Sequence, residues 1–238
     1  MIRRIVISHH QSDYLCKFPD GALFVFDDPT DVGISYCIEN ERQYTVVGKS
    51  GNRGHNRNAG LTVLLDTTDL QDDDIIEFFD GDRFPVLYDI DSVCKDMERH
   101  SFDAVLYMCM NDERNKRLDI PDGRTAIVGL CTLSNPFYSC GFAMKVSAIR
   151  KIMEYNGGTR LFEDSFTHWG CEDQFLGLIC GKLGLRVAIT RKVVLNGSVG
   201  GDSDRHHDYI DSLQEYVNAI MKHQISIKTS EILCELVD

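Results

Sequence analysis

The sequence has no Cys-x-x-Cys pair, no apolar run near the length of a membrane span, and no excess of basic residues. The first absence removes the usual structural-zinc and dithiol-redox signatures. The second removes the signal for a spanning helix, and the N-terminal Met1–Ile7 lacks the long apolar segment of a signal peptide. The net charge of −12 removes a nucleic-acid groove reader, which carries a basic footprint. A nucleotide ligand stays possible, because a bound divalent cation supplies positive charge locally. Nine cysteines, an odd number scattered through apolar runs, read as buried free thiols and predict a cytoplasmic protein.

The 238 residues are enough for a large core, and the sequence shows no repeat, low-complexity tract or linker. One domain is expected over residues 1–238, with a first half to about residue 110 and a second over about 111–238. Strand-like runs at Arg3–Ser8, Ala22–Phe26 and Tyr44–Val47 alternate with polar loops. A Gly- and Asn-rich loop, Gly51–Leu61, then runs into a helix through about Leu65. Helices are also predicted over Ile90–Arg99, Ser147–Tyr155, Gln174–Leu183 and Tyr209–His223. Strands are predicted at Asp103–Met108, Ser139–Met144 and Leu185–Ile189. Asn111–Arg124 and Asn196–Asp208 read as exposed loops that close over a ligand. This alternation predicts an α/β fold: a Rossmann-like, mixed, mostly parallel sheet flanked by helices.

Two acidic motifs stand out. Ile75–Phe79 is an apolar strand that ends in Asp80-Gly81-Asp82. Open α/β sheets place ligands at such strand ends, and two carboxylates one glycine apart suit a hard cation. The Asp-Gly dipeptide is equally a hairpin-turn signal. The second motif, Trp169-Gly170-Cys171-Glu172-Asp173, opens a helix with two acids, which also serve as ordinary partners of a helix N-terminus. Trp169, the only tryptophan, is either a core anchor or a flat platform for a sugar ring. His206-His207 and His9-His10 read either as loop residues or as a metal ligand and a base-pocket residue, respectively. The Arg53–Gly60 stretch is a candidate phosphate cradle, although it matches no established phosphate-loop pattern.

Taken together, these pieces resemble a GT-A glycosyltransferase, close to the large family-2 group and to the β-galactosyltransferases and chondroitin-polymerase-type enzymes. The resemblance runs from Ile5 to about Asn218. It rests on Ser12-Asp13-Tyr14-Leu15 and Asp27-Asp28-Pro29-Thr30-Asp31, on Asn56-Arg57-Asn58-Ala59-Gly60-Leu61, on Phe79-Asp80-Gly81-Asp82 and on Trp169–Asp173. It implies that Asp82, with Asp80 directly or through water, holds Mn²⁺ or Mg²⁺ on the pyrophosphate of a UDP-sugar beside Gly81. Asp27 would meet the uracil, Ser8 and His10 would line the base pocket, and Arg57 would help seat the nucleotide. Asp173 would be the general base, with Glu172 and Trp169 holding a saccharide acceptor. His206 or His207 would complete the metal shell. The implied activity is an inverting hexosyl transfer in polysaccharide biosynthesis.

Cys171 stands where the resemblance has a glycine, and no long acceptor-side extension is present, so the acceptor's identity does not carry over. Two rivals differ in class. A sugar nucleotidyltransferase would carry a Gly-rich basic loop after the first strand, where His9-His10-Gln11-Ser12-Asp13 stands instead. A non-catalytic carbohydrate-binding relative would need no metal.

Overall fold

The computed structural model describes residues 1–8, 12–48, 53–110, 118–130, 137, 140–163, 165–166, 171–197, 209–227 and 234–237. In chain order the strands are β1 (Ile2–Ser8), β2 (Ala22–Phe26), β3 (Gln43–Val46), β4 (Ile75–Asp80), β5 (Pro85–Tyr88), β6 (Ala104–Cys109), β7 (Thr125–Val128), β8 (Gly141–Lys145), β9 (Val187–Leu195) and β10 (Cys234–Val237). The helices are α1 (Val32–Glu39), α2 (Arg53–Thr67), α3 (Ile90–Arg99), α4 (Val146–Tyr155), α5 (Glu172–Lys182) and α6 (Tyr209–Lys222), and a 3₁₀ turn spans Ser12–Lys17.

The sheet order is β10-β7-β9-β6-β8-β4-β1-β2-β3, with β5 pairing β9 off this path. β3, β2, β1 and β4 form a parallel block. β6 and β9 are also parallel, and β8 joins the two blocks by running antiparallel to both β4 and β6. This is the mixed α/β sheet that the residue pattern predicts.

Both faces of the sheet are covered, which is why β2 and β4 are buried along their whole length. Successive strand residues point to opposite faces. Ile5, Val25, Ile76 and Phe78 pack with Leu61 and Leu64 of α2 and with apolar residues of α4, α5 and α6. Val6, Phe24, Ile75 and Phe79 pack with Cys37 of α1 and with Ile90, Val93 and Met97 of α3. Glu77 falls on this second face and is fully buried. Its carboxylate accepts from the hydroxyls of Tyr88 at 2.5 Å and Tyr107 at 2.6 Å and lies 2.9 Å from Arg4 Nε. Burial still pushes this carboxyl up against the pull of those three partners.

Several elements depart from the sequence expectation. α2 begins at Arg53, so Arg53–Gly60 is helix rather than loop. Its glycines, asparagines and histidine have low helix propensity, and packing against β1 and β2 overrides that preference. α1 is capped by Asp31, which accepts from Gly33 N–H at 2.8 Å. β9 continues past Ile189 because Arg191 and Lys192 find partners in Asp122 and Asp96. β5 opens on a proline, tolerated at a strand's first residue. β7 and β10 pair with each other beside β9 and were not anticipated. Seven cysteines have described side chains, all of them free thiols and four of them buried.

Gly60 sets how closely α2 sits on the sheet. A Cβ there would lie 2.7 Å from Val25 Cγ2 and 2.9 Å from Ile5 Cγ2, both on rotationally stiff β-branched residues. Gly60→Ala is therefore expected to lower unfolding free energy in urea by about 1–3 kcal/mol. An unchanged midpoint would show that helix and sheet are less tightly packed than these distances require.

Candidate active site

Three neighbouring parallel strands end together. Ile7 of β1 pairs with Asp80 of β4, and Ser8 pairs with Phe26 of β2, so Ser8, Asp27 and Asp80 share one edge of the sheet. β1 is followed by β2 and β3 on one side and by β4 on the other. The crevice at such a reversal is where open α/β sheets bind ligands.

Gly81 is required at this corner. Its N–H donates to the Ile7 carbonyl at 2.7 Å, and a Cβ would come within 2.9 Å of that oxygen and 3.1 Å of Ser8 Cα. Asp80 N–H donates to Cys140 O, and Arg83 N–H closes a turn onto Asp80 O. The Asp-Gly pair thus does form a turn, but not a hairpin, because the strand that follows pairs with β9. Asn196, just past β9, fastens the corner from outside by donating from Nδ2 to Asp82 O at 3.0 Å and from its N–H to Phe84 O.

Above the corner lies α2. Arg53 and Arg57 are one helical turn apart and share a face. Arg57 is fully buried; its Nη2 lies 2.5 Å from Asp80 Oδ1, and its Nη1 lies 3.3 Å from Glu172 Oε1. Arg53 Nη1 meets the other Asp80 oxygen at 2.9 Å. The Arg57 guanidinium also sits 5.2 Å over the Phe162 ring, itself part of an aromatic cluster with Phe78 and Phe142.

The second acidic motif is carried by α5. Cys171 holds the left-handed conformation at its start, with φ of 65°, where the resemblance has a glycine. The thiol turns inward to Ser212 of α6 and away from solvent. Glu172 is buried against Arg57. Asp173 is half-buried, and its Oδ1 accepts from Gln174 N–H at 2.6 Å.

The two motifs, about ninety residues apart in sequence, are therefore joined through one guanidinium. Of the acidic cluster after β2, Asp28 accepts from the N–H and hydroxyl of Thr30, and Asp31 caps α1. Asp27, directly after Phe26, is the member at the strand end. His10, Trp169, His206 and His207 lie outside the described residues. Arg53, Asn196 and Phe162 were not anticipated. For Arg53, its place one turn before Arg57 is a usable signal once the segment is known to be helical; Asn196 and Phe162 meet the site only through tertiary structure.

Asp80 has a guanidinium on each oxygen, whereas Asp82 is placed differently. Burial and the neighbouring Asp80 charge push its carboxyl up, while Arg53 and Arg83 pull the other way. A half-buried carboxylate held in that state suits a divalent cation, and metals on nucleotide phosphates take few protein carboxylates. Among the described residues no cluster of three or more His, Cys, Asp or Glu forms a metal cage, so the remaining ligands would come from substrate, water or elsewhere in the chain. Glu172 is also pushed up, by burial and then by the Asp173 charge.

The raised Asp82 gives a signed prediction. Its folded pKa lies above the unfolded value, so between the two the native state binds more protons and stability falls as pH rises through that window. At neutral pH in metal-free buffer Asp82→Asn should melt above the wild type, and the gap should close as pH falls below the ordinary carboxylate range. A variant that melts lower at every pH would assign Asp82 a stabilising contact instead.

No family model and no curated protein sequence matches the chain. Solved structures do match in fold. S. aureus TarS residues 1–349 in complex with UDP-GlcNAc aligns at 17% identity and a TM-score of 0.59, covering 96% of this chain and 68% of that one. The mannosyltransferase PcManGT from Pyrobaculum calidifontis in complex with GDP-Man and Mn²⁺ aligns at 18% identity and 0.57, covering 96% and 65%. GalNAc-T7 with UDP, GalNAc and Mn²⁺ aligns at 10% identity and 0.56, covering 93% and 48%. The chain thus has the fold of GT-A glycosyltransferase structures, and its length corresponds to about half to two-thirds of each of these three.

Proposed function

We propose that the chain is a metal-dependent, inverting glycosyltransferase that moves a hexosyl group from a UDP-sugar to a hydroxyl of a saccharide acceptor in polysaccharide biosynthesis. The observation that carries this reading is the Asp80–Arg57–Glu172 bridge, which brings the strand-end aspartates and the acidic helix start into one site. The structures of similar fold were solved with nucleotide sugars or nucleotides, two of them with Mn²⁺. The chain is read as one domain over residues 1–238, with the nucleotide-sugar half in about 1–110 and the acceptor half in about 111–238. No described helix is long and apolar enough to cross a membrane, and the free thiols fit a reducing cytoplasm.

In this reading the base enters beside Asp27 and Ser8. The Ser8 Oγ is buried with no hydrogen-bond partner among the described residues, so a ligand atom there would satisfy it. His10 would line the same pocket. Gly81 keeps the corner narrow, and Asp80 is fixed by two arginines so that Asp82 projects toward the diphosphate. Asp82 would hold Mn²⁺ or Mg²⁺, with His206 or His207 as a further ligand. When bound, the cation neutralises charge developing on the departing diphosphate.

Asp173 takes the proton from the incoming acceptor hydroxyl as that hydroxyl attacks an oxocarbenium-like anomeric centre from the opposite face. Glu172 is held by Arg57 and does not compete as a nucleophile, so a single displacement inverts the centre. Trp169 and Glu172 would position the acceptor ring.

Asp173→Asn should lower transfer about 10²–10⁴-fold while Mn²⁺-dependent UDP binding by calorimetry stays unchanged. Parallel loss of both would place Asp173 in the scaffold or on the donor side. UDP binding that ignores Mn²⁺, with no donor hydrolysis, would favour a carbohydrate-binding module over an enzyme.

A further inference from the structure

Arg57 has a neighbour, in the same motif, to which the resemblance assigns no role. Asn58 is buried, and its side chain makes three hydrogen bonds to one distant stretch of backbone. Oδ1 accepts from Leu161 N–H at 3.1 Å and Phe162 N–H at 3.0 Å, and Nδ2 donates to Phe162 O at 2.9 Å. An amide side chain is suited to this pairing, since it offers an acceptor and a donor on a short stem. Aspartate lacks the donor, and alanine leaves two N–H groups without their partner.

The backbone so gripped carries the Phe162 ring that lies beneath the Arg57 guanidinium. The next residue, Glu163, is held from another direction by Lys222 Nζ at 2.8 Å and His223 Nε2 at 3.1 Å, at the end of α6. Asn156, at the end of α4, donates to the carbonyls of Arg160 and Leu161. Residues 160–163 are thus fixed from three elements. Two consecutive residues of α2 act in complementary ways, Arg57 by gripping the carboxylates and Asn58 by gripping the segment on which Arg57 rests.

We propose that Asn58 is a positioning residue: by clamping Leu161 and Phe162 it seats the Phe162 ring under Arg57, and so fixes the spacing of Asp80 on the donor side and Glu172 on the acceptor side. This rests on the glycosyltransferase reading above, and it adds that donor and acceptor ends are coupled through α2. Loosening the clamp leaves the nucleotide corner in place, because Arg53 still holds Asp80, Gly81 is fastened to Ile7 and Asn196 to Asp82 and Phe84, but lets the acceptor end drift.

The test compares full-length wild type, Phe162→Leu and Asn58→Ala by three readouts: UDP affinity with Mn²⁺, kcat for transfer, and the ratio of transfer to donor hydrolysis. Phe162→Leu removes the ring but keeps the backbone clamp, so it reports on Arg57 even where Asn58→Ala destabilises the fold. Misplacement of this kind lowers kcat by about tenfold or more without changing donor affinity. The expected result is that fall in Phe162→Leu, with wild-type UDP affinity and partitioning shifted toward hydrolysis. A folded Phe162→Leu with wild-type kcat and partitioning overturns the proposal, as does a fall in kcat that only tracks lost UDP affinity. A wild type that neither binds UDP with Mn²⁺ nor hydrolyses any nucleotide sugar overturns the enzymatic reading itself.

Discussion

A guanidinium sealed from water must find negative charge, and in this fold Arg57 finds it on both sides. Asp80 comes from the end of β4, and Glu172 comes from the start of α5. Removing one partner from such a buried network costs about 3–5 kcal/mol, because the remaining charge is left without compensation. That constraint ties the position of α2 to the sheet edge and the position of α5 to α2. The tight contact at Gly60 and the aromatic support at Phe162 both serve it, one by letting the helix down onto β1 and β2 and the other by holding the guanidinium from beneath.

The division of labour between Asp80 and Asp82 follows from the same interaction. Two arginines meet the oxygens of Asp80, one on each, and fix its orientation. Asp82 carries its charge beside Asp80 in a partly buried corner and is pushed up for that reason. In the proposed function, a cation beside Asp82 would offset that crowding of negative charge. Glu77, three residues upstream on the opposite face, shows the alternative: a buried carboxylate answered by two tyrosines and an arginine, with no opening to a ligand.

Much of this was legible in the residues. The apolar run ending in Asp80-Gly81-Asp82 declared a buried strand with a ligand-bearing end, and the paired acids after Cys171 declared a helix start. The strand-helix alternation gave the fold class. What the residues did not declare was decided by tertiary contact. The Arg53–Gly60 segment reads as a loop by propensity, and only its burial against β1 and β2 makes it helical. β9 looked finished at Ile189 because its charged continuation is stabilised by Asp96 and Asp122, far away in sequence. Phe162 and Asn196 carry no local signature, since each matters for a partner roughly a hundred residues distant. Asp28 and Asp31, grouped with Asp27 as a nucleotide loop, also hold a turn and a helix cap.

The joining of two remote motifs by one cation is measured most directly by a double-mutant cycle in urea unfolding, using Asp80→Asn, Glu172→Gln and the double variant. If both carboxylates answer the same guanidinium, the effects are non-additive, with a coupling of about 0.5–3 kcal/mol. Additivity to within about 0.5 kcal/mol would mean that the strand end and the helix start do not share Arg57, and the single-site account would fail.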